Sequence, residues 1–338
     1  MVVRIRKLPF MLYNMRFPLV FFVLGSSFIF PVSHLVYAHT FSTSESAEFL
    51  SLTDQIRGET ALVTMNLENN NATLAQAHAE KASSLLDSNT LSEIRERNNR
   101  IANSLETGLE QLVGNVTLLA SASPGQMPQD RIQSTNQAVM SLNDIMAEAV
   151  TARVESEQQN NATTWAMVLA DLVNVVLSDY GNATGSSFDL TDISNMAEAN
   201  ATSSTSNMTT TTIVDTAAYQ SAQYLANNTI LQLFNDTLKP LTMSSNGTSS
   251  DNNNATTITQ GGQGTSPAAG NMTSNIDKLE ANLLQLKGDI NGKTTPNEVM
   301  MTAHLNIHPL LMQSYGLTLE QEGEEEEEEH DSDHGEGQ

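Results

Sequence analysis

The chain has 338 residues, with 15 Lys and Arg against 39 Asp and Glu, and a formal charge of −24. So anionic a surface repels phosphate backbones and anionic headgroups, which excludes nucleic acid as a partner, and it attracts metal cations and basic proteins. No cysteine is present, which rules out disulfides, thiolate metal sites, iron–sulfur clusters and thiol nucleophiles and leaves packing as the source of stability.

Arg4, Arg6, Lys7 and Arg16 precede the apolar run Phe17 to Phe30, and Val36-Tyr37-Ala38 is a small-x-small cleavage pattern. Residues 1–38 therefore read as a secretory signal. The competing reading is a retained membrane anchor, because Phe17 to Ala38 approaches the roughly 20 residues a bilayer core requires. Pro18, Pro31, Ser33 and His34 interrupt the run and favour cleavage. Contact with a membrane is expected through this segment alone, if it is kept. Its loss removes four cations and no acid, leaving 11 Lys and Arg against 39 acids, or −28.

Beyond it, apolar residues recur at helical spacing and period-two alternation is scarce, which predicts an all-α fold. Ser42 to Glu45 forms a capping box and opens a helix whose inward stripe is Phe49, Leu52, Ile56, Val63 and Leu67. Asn69-Asn70-Asn71 ends it. A second helix is expected over Thr73 to Asp87. A third is capped by Thr90 to Glu93 and carries the stripe Ile94, Ile101, Leu105, Leu109 and Leu112. Pro124-Gly125 breaks the pattern, and Pro128 suits a first helical turn. The fourth helix runs to about Ser156 with Ile132, Val139, Leu142, Met146 and Val150 inward, and the fifth buries Trp165, Val168, Leu172 and Val176. Antiparallel neighbours on short loops make these a helical bundle over 39–181.

Residues 182–240 read as a linker plus a helix, with a short amphipathic piece near Leu190 to Met196 and the helix at about Ile213 to Lys239. The stretch 241–274 is of low complexity, almost without apolar residues after Ser244, and reads as a disordered glycosylated linker. A C-terminal hairpin follows at 275–317, with the seam Ile276, Leu279, Leu283, Leu286 and Ile290, a restart at Pro296, and a last helix containing Pro309. This hairpin is expected to dock on the first bundle while the linker loops outside. Residues 318–338 form an acidic disordered tail, whose Glu324 to Glu329, His330 and His334 read as a solvated segment rather than a cation site.

Asn-x-Thr occurs at Asn71, Asn115, Asn161, Asn182, Asn200, Asn207, Asn227, Asn235, Asn246, Asn254 and Asn271, while Asn-x-Ser is absent. Random placement yields roughly three of the former and as many of the latter. The bias predicts a glycosylated, exported protein with these segments facing water. Export signal, Thr-only sequons, absent cysteine, high acidity and Asn/Thr-rich linkers together resemble uncharacterised extracellular helical proteins of archaea. The resemblance implies a place at the archaeal cell surface and transfers no functional residue.

Histidines are the main chemical signal. His78 faces the core side of its helix, and His304 and His308 are one turn apart, with Met300 and Met312 extending the line. Two imidazoles and two thioethers on one face suit copper best, and heme iron or zinc less well. The bland alternative is that these side chains fill space and share a hydrogen bond. Cleavage after Ala38 would make His39 the new N-terminus, where amine and ring chelate a metal as in oxidative copper enzymes that cleave polysaccharides, a resemblance of one position. Otherwise His-Glu-x-x-His, Gly-x-Ser-x-Gly, phosphate-binding loops and dinucleotide fingerprints are all missing. Glu155 and Glu157 read as solvated surface. The expectation is a secreted or surface-tethered helical glycoprotein with a binding or structural role and no catalysis. The first alternative is an extracellular metal-binding protein holding copper or iron between helices through His78, His304, His308 and Met300, and the second is a copper enzyme using His39.

Overall fold

The computed structural model of the protein describes residues 42–122, 128–186, 211–247 and 269–317. Residues 1–38, His39, the piece around Leu190 to Met196, most of both linkers and the acidic tail lie outside the described residues, with Asn200, Asn207, Asn254, His330 and His334. The side chains of Asn246 and Asn271 do too.

The described residues are helical and contain no strand. Helix α1 spans Thr43–Glu68, with Ser42 and Glu45 exchanging both bonds of the expected capping box. Asn70 turns the chain at φ 58°, a left-handed conformation that asparagine tolerates. Asn71 Oδ1 then accepts from the Leu74 amide to cap α2, Ala72–Leu85. Helix α3, Ser88–Ala120, is capped by Asp87 rather than from Thr90, because the Asp87 carboxylate reaches the Thr90 amide at 2.7 Å. Asn98 breaks its helical geometry (φ −154°, ψ 93°) and recaps the second half through the Ile101 amide. An asparagine side chain competes well for backbone amides, so a second cap here kinks the rod. Helix α4 is Gln129–Arg153, α5 is the single turn Ser156–Gln159, and α6 is Ala162–Thr184.

The next run, α7, begins at Thr216–Tyr224 and continues through π-helical Leu225–Thr229, Ile230–Leu233, π-helical Phe234–Leu238 and Lys239–Gly247. Helix α8 is Ala269–Gly292. Helix α9 comprises Pro296–Met301, π-helical Thr302–Ile307 and His308–Tyr315. Two of the three π segments stop two residues before a proline, Pro240 and Pro309. Proline has no amide to give the carbonyl four residues back and crowds it, so the turn widens: Lys239 bonds to Phe234 and His308 to Ala303, five residues away. The prolines are absorbed and the helices continue.

Helix α1 packs against α2, α4, α6 and α7, while α3 closes on α2 and α4. The expected stripes point inward: Phe49, Ile56, Val63, Leu67, Ile94, Ile101, Leu105, Leu109, Leu112, Val139, Leu142, Met146, Val168, Leu172 and Val176 are buried, with Leu52, Ile132, Val150 and Trp165 partly so. Gly108 lets α3 approach α4, since a Cβ there would lie 2.6 Å from Leu142 Cδ2. Arg153, 8% exposed, lies over the Phe49 ring and pairs with Glu93.

The C-terminal hairpin docks as expected, but on α6 and α7. Tyr180 and Tyr219 donate their hydroxyls to the Thr294 and Ile290 carbonyls at 2.6 and 3.0 Å, clamping the α8–α9 turn. Helix α6 is long and apolar enough to cross a membrane, with mean hydropathy 1.2, yet it is the helix around which α1, α7 and α9 gather.

Candidate functional site

The polar feature that stands out is a chain of side chains in the interior where α1, α2, α6 and α7 meet. Glu59 of α1 is 3% exposed and His78 of α2 is fully buried, with Nδ1 2.7 Å from Glu59 Oε2 and Nε2 2.9 Å from Gln220 Oε1 on α7. The Gln220 orientation is pinned from its other side. Asn66 Nδ2 donates to both the Leu62 carbonyl and Gln220 Oε1, each at 2.9 Å, so oxygen rather than nitrogen faces His78. Both ring nitrogens thus meet side-chain oxygens.

Lys81, one turn further along α2, extends the chain to α6. Its ammonium lies 3.0 Å from Glu59 Oε1 and 2.6 Å from Asp179 Oδ1. Asp179 is 6% exposed, and its second oxygen, Oδ2, is buried without a hydrogen-bond partner. A buried carboxylate oxygen in that state carries the full cost of its lost hydration.

Lys81 and Asp179 open onto a cleft of about 650 Å³ between α2, the end of α6 and the start of α7. Local sequence shapes it. Gly185 takes φ 68°, Ser186 bonds back to the Gly181 carbonyl at 2.9 Å, and α6 stops there. Asp215 spends its carboxylate on the Ala218 amide, capping α7. Gly181, Ala77, Ala217 and Ala218 leave the space between unfilled.

Charge is distributed unevenly along the chain. Burial opposes the Glu59 charge, yet the His78 hydrogen bond, Lys81 and Ser221 together hold its carboxyl below the usual range. Asp179 goes the other way: burial pushes it up to about 6 despite Lys81, whose single charge is divided between two carboxylates. For Lys81, burial is outweighed by Asp179 and Glu59, which hold its ammonium above the ordinary value.

A group whose pKa rises on folding adds stability that is present below its unfolded value, about 3.9 for Asp, and lost as pH rises through the folded one. Stability is therefore expected to fall across pH 4 to 6 through Asp179, whereas the Glu59 contribution is present above the ordinary carboxylate range and lost on acidification. Denaturant titrations at a series of pH values should show a flatter profile between pH 4 and 6 in Asp179→Asn. An unchanged slope would remove Asp179 from this account.

His304 and His308 face each other, with Nδ1 atoms 3.0 Å apart and rings edge to face. Burial lowers both pKa values, and with the His304 charge as a second cause it takes His308 to about 4 against a weak opposing effect of the Ala170 backbone. The two are neutral at ordinary pH and share one proton. Met300 is buried in the helical turn before the π segment of α9, and Met312 is half-buried. His78 has Glu59 and Gln220 as partners while His304 and His308 have each other. Among the described residues, no three His, Asp or Glu side chains form a group able to hold a metal ion, so a shared site of His78, His304 and His308 is not assembled there. Glu155 and Glu157 are exposed.

Sequence reasoning placed His78 on the core face but missed Glu59, Lys81, Asp179 and Gln220. A signal was available. Glu59 falls three residues after Ile56 and four before Val63, and Asp179 three after Val176 and four before Ala183, so each carboxylate sits on an apolar stripe. Comparison of the chain with protein-family models, with curated proteins and with solved structures found no match, and the chemistry of this site therefore rests on its own residues.

Proposed function

We propose that the protein is an exported, cell-surface helical glycoprotein that acts by binding or structural support rather than catalysis. The supporting observation is where the sequons fall. Asn71, Asn115, Asn161, Asn182, Asn227 and Asn235 have described side chains, and none is buried, whereas Asn66, outside any sequon, is 2% exposed. Asn71 and Asn161 cap helices through Oδ1 and leave Nδ2, the atom that takes a glycan, outside the cap. Asn182 and Asn235 are exposed.

Asn227 differs. It exchanges two hydrogen bonds with Asn291, at 3.1 and 2.8 Å, in a closed amide pair. That ring uses the amide proton on the same side as the oxygen, the one a sugar replaces. Glycopeptide mass spectrometry of the secreted chain is expected to find hexose-bearing peptides at Asn182 and Asn235 and bare Asn227. Unmodified asparagines on protein retained inside the cell would overturn the proposal.

A further inference from the structure

The imidazole pair on α9 is the strongest unassigned feature of the molecule, and we infer that His304 and His308 hold one copper(I) ion between their Nδ1 atoms. This rests on the reading of the chain as a binding protein and gives that reading a ligand.

Proton counting comes first. Each neutral imidazole carries one N–H, yet the 3.0 Å gap between the two Nδ1 atoms has room for a single proton. One ring must therefore keep its proton on Nε2 and present a bare Nδ1 lone pair to the other. That ring is His308. Its Nε2 is buried and makes no well-formed hydrogen bond, but the Ala170 backbone acts on the ring as an acceptor does, by raising its pKa. A ligating histidine takes this arrangement, with the second nitrogen turned toward a carbonyl. The π turn Thr302–Ile307, widened ahead of Pro309, supplies the approach of the two rings. The surroundings then select the ion. Two nitrogens bound to one ion at about 2.0 Å each lie at most about 4 Å apart, so 3.0 Å is the span of a bent pair, open on one side to a further ligand. Met312 follows His308 by one turn, and Met167 precedes Ala170 by one turn on α6, which packs against this end of α9. Imidazole with thioether favours copper(I). Among the described residues no carboxylate joins the pair to make a group of three, so a divalent ion would be buried without a charge partner or its usual four ligands.

Uptake asks for little rearrangement. The shared proton passes from Nδ1 of His304 to Nε2 of the same ring, the ion takes its place, and both imidazoles stay neutral with no proton lost. Entry is over His304, which is half-buried, because His308 is 8% exposed. A chain of formal charge −24 concentrates cations at its surface.

The test is anaerobic titration of the full exported chain against copper(I) held by bicinchoninate, a coloured chelator whose absorbance falls as copper is withdrawn. Transfer of one equivalent per chain is expected. His304→Gln and His308→Gln should each weaken uptake at least about tenfold, and X-ray absorption of the loaded parent should show two nitrogens at about 2.0 Å from copper. Undiminished uptake by His304→Gln would put the copper elsewhere on the chain and overturn the inference. No uptake, or zinc(II) captured by this pair in preference to copper(I), would equally overturn it. Should either variant fail to keep the wild-type circular dichroism, a chain carrying His39→Gln, His330→Gln and His334→Gln decides, since it leaves α9 untouched. Full uptake there, with the same two nitrogens, upholds the pair, and lost uptake rejects it. A glycosylated, exported chain that leaves copper with the chelator sinks this site and spares the proposed function. Bare intracellular protein that withdraws it does the reverse.

Discussion

Glu59→Ala should be among the most destabilising single substitutions in the protein. Glu59 is 3% exposed and faces both the fully buried His78 and the Lys81 ammonium, at 2.7 and 3.0 Å. Removing one member of a buried ionic set strands the others, which costs about 3–5 kcal/mol. At about 2–4 °C per kcal/mol for a folded unit of this size, the melting temperature should drop by about 6–20 °C. Arg100→Ala is the contrast. Arg100 pairs with Glu148 at 2.5 Å, but both side chains are more than half exposed, and pairs of that kind contribute at most about 1 kcal/mol. Thermal and urea unfolding of the two variants should differ several-fold in effect. If Glu59→Ala unfolds within 1 kcal/mol of the parent, roughly the worth of an exposed pair, the polar chain is not structural.

The second large effect is expected at the seam of the C-terminal hairpin. Leu283, 1% exposed, lies on the α8 stripe with Ile276, Leu279, Leu286 and Ile290, all buried. Truncating such a leucine to alanine costs about 2–5 kcal/mol. Leu283→Asp adds the desolvation of a carboxylate and should exceed that. Because α8 and α9 rest on α6 and α7 and are clamped by Tyr180 and Tyr219, the loss should appear first as faster amide hydrogen exchange in α8 and α9. Protection in α3 and α4, which pack on each other and on α1 and α2, should persist at mild denaturant. Uniform loss of protection in all helices at once would mean that the hairpin does not open as a unit.

Both substitutions bear on how far the architecture can be read without coordinates. Every leucine and isoleucine of the α8 seam was legible from its three-four spacing, because a helix has one face to bury and announces it by periodicity. Where α8 would dock was not. Its clamps are Tyr180 and Tyr219, distant residues that reach carbonyls of the α8–α9 turn, and no local pattern links them. Pro309 illustrates a different limit. The sequence indicates trouble in the last helix, but only packing decides between breaking it and widening one turn, and here the helix continues through a π segment that brings His304 against His308. The Asn98 kink was hidden inside an intact stripe for the same reason: buried positions keep their spacing on both sides of it.

The candidate site divides in the same way. His78 was visible as a polar residue on a core face, and Glu59 and Asp179 carried the same signature on their own helices. What periodicity could not supply is that three such interruptions, on α1, α2 and α6, meet at one point with Gln220 of α7 closing the chain. Amphipathic spacing is a property of one helix and is written along it, so helix positions, caps and inward faces followed from the amino-acid order alone. The partner of each buried charge, the unpaired Asp179 oxygen and the cleft above it depend on how separate helices cross. Those crossings arise when all the stripes are buried together, and that is a decision only the folded chain makes.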